Sequence, residues 1–215
     1  MAIDRNVWDG WANWSEVAAS QDLGHVRERI TGRGTTWWKE NGEPDGFVEA
    51  VADIHRDCLL RMGRIARAVD FGCGLGRNGP YLARRFGRLV GLDLPDMIAK
   101  LRLEADAGFY SALYGDRAAL LSSSEDLDVC YDSVVFQHIL NSEYSAAIVR
   151  DLVAIPNLRY VISLCSGGLE LALGLRGWAR VPLILRQEGW TEVYSGNDVN
   201  TFNVPHVLRV LKRPS

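Results

Sequence analysis

From about residue 66 onward, the apolar residues of this chain fall alternately into short continuous runs and into stretches with helical spacing. The short runs "RAVDFG", "RLVGLDL", "YDSVVFQH" and "RYVISLCS" predict buried strands. Between them, "RNGPYLARRF", "PDMIAKLRLEA" and "SEYSAAIVRDLVA" carry apolar residues three and four positions apart and predict helices. Strands that alternate with helices predict an α/β fold, in which helices cover both faces of a mostly parallel sheet.

Three further strands and one helix complete the predicted α/β domain, which we place over residues 44–215. A helix over about residues 44–61 is predicted because four apolar residues share one helical face: Phe47, Val51, Ile54 and Cys58. The run "AALLSS" is assigned as the third strand, with "FYSALY" as the alternative. The tail predicts two strands joined by the polar loop "SGNDVNTFN". The result is a doubly wound sheet of seven strands with an antiparallel strand at one edge.

The first 43 residues differ in composition from the rest and are predicted to form a separate cap or lid segment. They hold five of the seven tryptophans of the chain: Trp8, Trp11, Trp14, Trp37 and Trp38. The first three recur every third residue, which places them along one side of a helix. Such a stripe fits either an amphipathic helix packed on the sheet or a lid that closes over a ligand.

The overall charge gives no reason to expect a polyanion as partner. The 215-residue chain has a formal net charge of -3 and only short basic clusters, such as Arg84-Arg85 and Lys212-Arg213. Nucleic acid is therefore a less favoured partner than a small molecule. The oligomeric state stays open at this stage.

Cysteine usage and the chain ends predict a soluble cytoplasmic protein. None of the four cysteines (Cys58, Cys73, Cys130 and Cys165) belongs to a CxxC pair, so neither a metal site nor a redox pair is expected. The start "MAIDRNVWDG" has no apolar signal-peptide core. The apolar stretch "LELALGLRGWARVPLIL" is interrupted by two arginines and a proline, so it is not expected to span a bilayer or attach the chain to a membrane.

The stretch "AVDFGCGLGRNG" carries the strongest chemical signal, with four glycines directly after the first predicted strand. Glycine permits positive φ and lets backbone amides approach a ligand closely. The turn matches two patterns: a GxGxxG from Gly74 to Gly79, typical of dinucleotide sites, and a DxGxGxG from Asp70 to Gly76. Asp70 decides between them, because a carboxylate at the strand end would repel a pyrophosphate and suits a ligand with positive charge.

A second acid follows the next predicted strand, at the place where a nucleoside ribose is usually bound. "LVGLDL" ends in Asp93, 17 residues after Gly76. A carboxylate there accepts hydrogen bonds from ribose hydroxyls, and both candidate ligand types need it.

These residues resemble the class I S-adenosylmethionine-dependent methyltransferases. "VDFGCGLGRNGPYLA" resembles the first motif of that family, "VGLDLPDMI" the second, and "SSSEDLDVCYDSVVFQHIL" the third and fourth together. "PNLRYVISLCSGG" resembles the fifth strand, and the likeness covers about residues 66–168. The resemblance implies a Rossmann-like methyltransferase fold and S-adenosylmethionine as cofactor, and it leaves the methyl acceptor open.

Carried over position by position, the resemblance implies a set of cofactor-binding residues. The methionine part would be lined by Asp70, Gly72, Cys73, Gly74 and Gly76, and the ribose would be bound by Asp93, with Leu94 and Met97 beside the adenosine. The adenine contact depends on the third strand. "AALLSS" as that strand puts Ser123 and Ser124 in place, whereas "FYSALY" puts Gly115-Asp116 there. We prefer the first assignment, because "EDL" then precedes the central strand at the expected short distance.

The acceptor is expected beside Phe136, Gln137 and His138, which follow the central strand. Neither the Asn/Asp-Pro-Pro-aromatic string nor the Pro-Cys string of nucleobase and glutamine methylating enzymes is present. This favours an oxygen or nitrogen of a small molecule. His138 would act either as a base that deprotonates the acceptor or as a positioning group, since in-line methyl transfer can rest on positioning alone.

The N-terminal segment is expected to complete the site. Arg33 would meet the cofactor carboxylate, and Trp37 and Trp38 would line a lid over an apolar or flat acceptor. Two other functions stay open: an NAD(P)-dependent oxidoreductase that uses the GxGxxG pattern, and a non-catalytic domain that binds the cofactor or a partner.

Overall fold

The computed structural model describes residues 14–24, 26, 46–123, 125–133, 135, 142–166, 180–201 and 204–214. Within them, seven strands form one sheet: β1 (Arg67–Phe71), β2 (Arg88–Leu92), β3 (Ala112–Tyr114), β4 (Val129–Ser133), β5 (Tyr160–Ser166), β6 (Thr191–Thr201) and β7 (Val204–Lys212). The strand order is β3-β2-β1-β4-β5-β7-β6. The strands β1 to β5 are parallel to their neighbours, and β7 runs antiparallel to both β5 and β6.

The helices lie where the strands need crossover connections. They are α1 (Trp14–Ala19), α2 (Phe47–Met62), α3 (Gly79–Arg85), α4 (Pro95–Leu101), α5 (Arg117–Leu121), α6 (Ser142–Val153) and α7 (Arg180–Gln187), with a 3-10 helix at Ala105–Phe109. Proline occupies the first turn of both α3 and α4, where its missing N–H costs no helical hydrogen bond. Parallel strands require such crossovers, so the predicted doubly wound α/β fold is confirmed. The antiparallel strand lies one position inside the edge strand β6.

The preferred assignment of the third strand is wrong. Most of "AALLSS" lies in α5 and the turn after it, and the third strand is the alternative, within "FYSALY". Asp116 begins this helix, because its carboxylate accepts a hydrogen bond from the Ala118 backbone N–H at 3.0 Å. Ser123 therefore follows a helix, and Gly115-Asp116 stands at the end of the strand.

The predicted loop between the two last strands is also shorter than expected. The residues of "SGNDVNTFN" up to Thr201 belong to β6, which pairs with β7 as far as the Thr201–Val204 partners. Backbone pairing along an edge strand tolerates polar side chains, so the polar run did not mark a loop.

Two apolar layers sandwich the sheet. On one face, α2 packs Phe47, Ile54 and other buried residues against β1, β4 and β5. On the other face, α6 and α7 cover a second cluster. Cys58, Cys73 and Cys130 are buried free thiols, which pack in the core as small apolar residues. None of the helices in the described ranges is long and apolar enough to cross a membrane.

Candidate active site

The glycine turn connects β1 to α3 at the carboxyl ends of the parallel strands. Asp70 lies near the end of β1 and is 1% exposed. The backbone then turns through Gly72 (φ 72°), Gly74 (φ 57°) and Gly76 (φ 85°), values that side chains other than glycine rarely adopt. The backbone N–H of Gly72 donates to the carbonyl of Leu92 at 2.7 Å, which fixes the turn against the end of β2.

Asp93, directly after β2, holds the middle of this turn. Its Oδ2 accepts a hydrogen bond from the Gly74 backbone N–H at 2.7 Å, and its Oδ1 accepts one from the Leu94 N–H at 2.6 Å. The two motifs that the sequence pointed to are therefore joined by a direct hydrogen bond. The second lone pair of each carboxylate oxygen is available to a ligand hydroxyl.

One glycine of the turn is required by a neighbouring strand segment. A Cβ on Gly72 would lie 2.2 Å from Cγ2 of Val135, which follows the central strand β4. Just before it, the buried carboxylate of Asp132 accepts hydrogen bonds from the Val135 N–H and the Ser163 hydroxyl at 3.0 and 2.9 Å. This arrangement holds Val135 against the glycine turn.

The electrostatics around the glycine turn favour a cationic ligand. Burial raises the pKa of Asp70 to about 7, with the charges of Asp93 and Asp132 adding to the effect. A hydrogen bond from the Tyr110 hydroxyl and the charge of Arg77 act in the opposite direction without overcoming it. Burial also raises the pKa of Asp93. Two carboxylates that are this hard to ionise gain stability from an added positive charge and would repel a pyrophosphate.

The remaining predicted cofactor residues in the described part have differing exposure. Cys73 is 5% exposed and packs in the core, so its backbone rather than its thiol faces the turn. Leu94 is 36% exposed, and Met97 is 2% exposed. Ser123 uses its hydroxyl to donate to the Leu120 carbonyl at 2.6 Å at the end of α5.

Several predicted residues lie outside the described residues. These are the adenine candidate Ser124, the acceptor-side residues Phe136, Gln137 and His138, and the N-terminal residues Arg33, Trp37 and Trp38. Trp8 and Trp11 lie there as well, and of Trp14 only the backbone is described.

A short N-terminal helix packs directly on the glycine turn. Val17 and Ala18 of α1 are buried with Leu75 of the turn and Met97 of α4. The Lys100 ammonium donates to the carbonyl of Ala18 and ties the end of α1 to α4. Two residues of the segment predicted to form a cap thus lie against Leu75 of the glycine turn and Met97.

The end of β3 brings a further acid to the same edge. The backbone N–H of Asp93 donates to the Tyr114 carbonyl at 3.1 Å. A Cβ on Gly115 would lie 2.8 Å from the Cα of Pro95, so this glycine allows close packing next to the Asp93 loop. Asp116 follows at once, which places the alternative adenine pair beside the predicted ribose acid.

Tyr110 is the residue of this site that sequence reasoning missed. Its hydroxyl donates to Oδ2 of Asp70 at 2.7 Å, and the pair is buried. The available signal was Gly91, because an isolated glycine within a strand marks the close approach of another group. A Cβ on Gly91 would lie 3.1 Å from Cδ1 of Tyr110.

The part of the chain that contains the glycine turn and Asp93 matches a known family. Residues 69–153 match the profile of the family described as "Methyltransferase domain". By this match, residues 69–153 form a methyltransferase domain. Among curated proteins, none matches the chain.

Solved methyltransferase structures share the fold over nearly the whole chain. The N-methyltransferase NodS from Bradyrhizobium japonicum WM9, in complex with S-adenosyl-L-homocysteine, superposes with a TM-score of 0.59 at 16% identity, covering 94% of this chain and 96% of that one. Magnesium protoporphyrin IX methyltransferase (ChlM) from Synechocystis PCC 6803, with bound S-adenosylmethionine, gives 0.54 at 16% identity, with 93% and 89% covered. At this identity the likeness shows the fold alone.

A third similar structure comes from work on the conversion of a disulfide bond into a thioacetal group during echinomycin biosynthesis. Its TM-score is 0.51 at 22% identity, with 76% of this chain and 81% of that chain covered. The three names differ: one gives N-methylation, one gives magnesium protoporphyrin IX, and one gives the conversion of a disulfide bond. The shared fold therefore does not determine the acceptor.

Proposed function

We propose that this methyltransferase transfers the methyl group of S-adenosylmethionine to an oxygen or nitrogen of a small molecule. The observation that carries the cofactor part is the pair of carboxylates at the ends of β1 and β2: Asp70, which is buried, and Asp93, which accepts from the Gly74 amide. S-adenosylmethionine has a sulfonium, an ammonium and no phosphate, so its charges suit this pair.

The residues of the crevice fit the cofactor by their chemistry. Asp93 would accept hydrogen bonds from the ribose hydroxyls, because each of its oxygens has a lone pair left after its backbone contact. Asp70 and the glycine turn would hold the methionine part. We now prefer Gly115-Asp116 over Ser123 and Ser124 for the adenine edge, because that pair directly follows β3 and lies next to Asp93.

The bound cofactor supplies a methyl group on a cationic sulfur. The chain's own part is to position the acceptor and exclude water. The packing of α1 on Leu75 and Met97 supports a cap over the cofactor, to which Arg33, Trp37 and Trp38 are proposed to contribute. His138 is proposed to hold or deprotonate the acceptor. A His138→Gln variant that keeps cofactor affinity and loses turnover over the whole pH range would assign positioning rather than base catalysis.

The proposal of a small-molecule acceptor rests on the net charge of the chain and on the absence of two sequence motifs of other acceptor classes. The net charge of -3 gives no electrostatic attraction for nucleic acid, and the sequence has neither nucleobase-methylating string. Transfer of an isotope-labelled methyl group to a panel of hydroxy, amino and thiol compounds, with RNA and DNA as further arms, tests this. Labelling of nucleic acid, or of thiols alone, would overturn the acceptor assignment.

The cofactor assignment is tested by calorimetry with S-adenosylmethionine, S-adenosylhomocysteine and NAD. We expect binding of the first two only. Asp93→Ala should weaken both by about 10- to 100-fold, the equivalent of losing hydrogen bonds to a charged group. The matched control is Asp53→Ala, an acid on α2 that is 71% exposed and should leave both affinities unchanged.

The two rival functions predict different results in this experiment. Tight NAD binding without S-adenosylmethionine binding would identify an oxidoreductase. Binding of S-adenosylmethionine with no methyl transfer to any acceptor class would favour a non-catalytic cofactor-binding domain.

A further inference from the structure

Tyr110 occupies a slot made by glycines that the cofactor motif alone does not explain. The residue follows the 3-10 helix, precedes β3 and is 8% exposed. A Cβ on Gly79 would lie 2.9 Å from its Cε2, and one on Gly91 would lie 3.1 Å from its Cδ1. A Cβ on Gly76 would lie 3.4 Å from Cε2. A side chain on Gly79 would collide with the ring alone, whereas one on Gly91 would meet Leu113 first, at 2.6 Å, and the contact with Gly76 is an ordinary one. Gly79 is therefore the glycine that most directly fixes where the ring lies.

The position of the Tyr110 ring places its hydroxyl beside one carboxylate oxygen of Asp70. The Tyr110 O–H donates to Oδ2 of Asp70 at 2.7 Å, within a region closed to solvent. A hydrogen bond from a neutral donor to a buried carboxylate stabilises the ionised form and restricts the side chain to one orientation.

The other groups around Asp70 show why this bond matters. Its ionisation is opposed by burial and by the acids Asp93 and Asp132, which lie after β2 and in β4. It is favoured by the Tyr110 hydroxyl and by the charge of Arg77, in the glycine turn. Two more titratable groups interact with Asp70, the Cys73 thiol and the Tyr131 phenol, and burial raises the pKa of both.

We propose that Tyr110 is a positioning residue for cofactor binding, which acts by holding the Asp70 carboxylate ionised and oriented toward the cationic methionine part of the ligand. The proposal rests on the proposed function, since it assigns a role toward the same cofactor. It adds a residue from outside the motifs to the site, and it accounts for Gly79 by the Tyr110 ring instead of by the ligand.

The test is the pH dependence of S-adenosylhomocysteine binding, measured by calorimetry between about pH 5.5 and 8.5 for wild type and Tyr110→Phe. Wild-type affinity should rise through about pH 7, because the ligand ammonium pairs with the ionised form of Asp70. The variant keeps the ring and loses the hydroxyl. Its rise should move to higher pH, with affinity about tenfold below wild type near neutrality and a smaller gap at the alkaline end.

The matched control is Tyr160→Phe. Tyr160 also donates from its hydroxyl to a carboxylate, that of Asp57 at 2.7 Å, but it stands at the opposite end of the sheet, in the first position of β5. Its loss should leave the binding profile unchanged. In an Asp70→Asn background, adding Tyr110→Phe should change neither the affinity nor its pH dependence, because the group through which Tyr110 acts is gone.

The outcomes separate this inference from the proposed function. A wild type that does not bind S-adenosylhomocysteine overturns both. A wild type that binds, with a Tyr110→Phe profile that matches Tyr160→Phe, overturns only the role of Tyr110. Weakening by one constant factor at every pH, or an undiminished effect in the Asp70→Asn background, also overturns it, because both indicate a purely structural role.

Discussion

Asp70→Asn should make the unliganded fold more stable near neutral pH while it weakens cofactor binding. The Asp70 carboxyl is 1% exposed and has acids nearby, and its pKa is raised to about 7, chiefly by burial. Asparagine has nearly the same shape and keeps an oxygen that can accept the hydrogen bond from Tyr110. The substitution therefore removes the ionisation with little change in packing.

The magnitude follows from proton linkage. In the unfolded chain this aspartate ionises near pH 3.8, whereas in the folded protein it holds its proton until about pH 7. Between these values the unfolded state binds fewer protons, so the wild-type free energy of unfolding falls as pH rises, and above about pH 7 the loss stays constant. A span of about 3 pH units corresponds to at most about 4 kcal/mol, which Asp70→Asn would recover.

Urea denaturation of both proteins at pH 4.5, 6 and 8 measures this difference. We expect the stability advantage of Asp70→Asn to be smallest at the acid end and to grow by about 2 to 4 kcal/mol toward pH 8. Asp53→Asn, on the exposed face of α2, controls for general charge effects and should stay within about 0.5 kcal/mol of wild type. A difference that is constant with pH, or that shrinks as pH rises, would refute the reasoning.

Two further predictions concern stability, one at the glycine turn and one at the ion pair that precedes β1 and β4. Gly72→Ala should lower the free energy of unfolding by about 2 kcal/mol or more, because it adds a clash with Val135 to the strain of a positive φ. Gly63→Ala is the control for strain alone, because Gly63 has φ 66° and no atom lies within 4 Å of a Cβ there. It should cost about 1 kcal/mol in thermal unfolding. In the wild type, the fully buried carboxylate of Asp128 lies 2.5 Å from the guanidinium of Arg64. Arg64→Met removes this charged partner and should cost about 3 to 5 kcal/mol of unfolding free energy in urea denaturation. A loss below about 1 kcal/mol would contradict this.

The parts of the fold that the sequence predicted correctly have strong local signals. The first two strands are apolar runs buried on both faces of the sheet, and each ends at a turn or an acid that breaks the run. The glycine turn imposes its own backbone geometry through Gly72, Gly74 and Gly76, so its place was readable without any tertiary contact. The hydrogen bond between Asp93 and Gly74 was not readable as such, but both residues were identified.

The third strand was misassigned because its local signal is weak. The strand has only three residues, Ala112–Tyr114, and all are half-buried, whereas "AALLSS" offered a longer apolar run. A short apolar run does not distinguish a strand from a helix by periodicity. The deciding feature was the cap formed by Asp116, a side-chain contact that favours a helix beginning at Arg117.

The glycines of the turn have two separate structural causes, and this bears on which ligand they serve. The GxGxxG pattern requires Gly79 as its last glycine, where a dinucleotide site needs close packing of helix on strand. Here Gly79 instead makes room for the Tyr110 ring, which reaches Asp70. Gly91, outside the pattern, faces the same ring. The last glycine of the dinucleotide pattern is thus explained by the packing of a tyrosine that donates to a buried carboxylate, and a site built around that carboxylate is unsuited to a pyrophosphate.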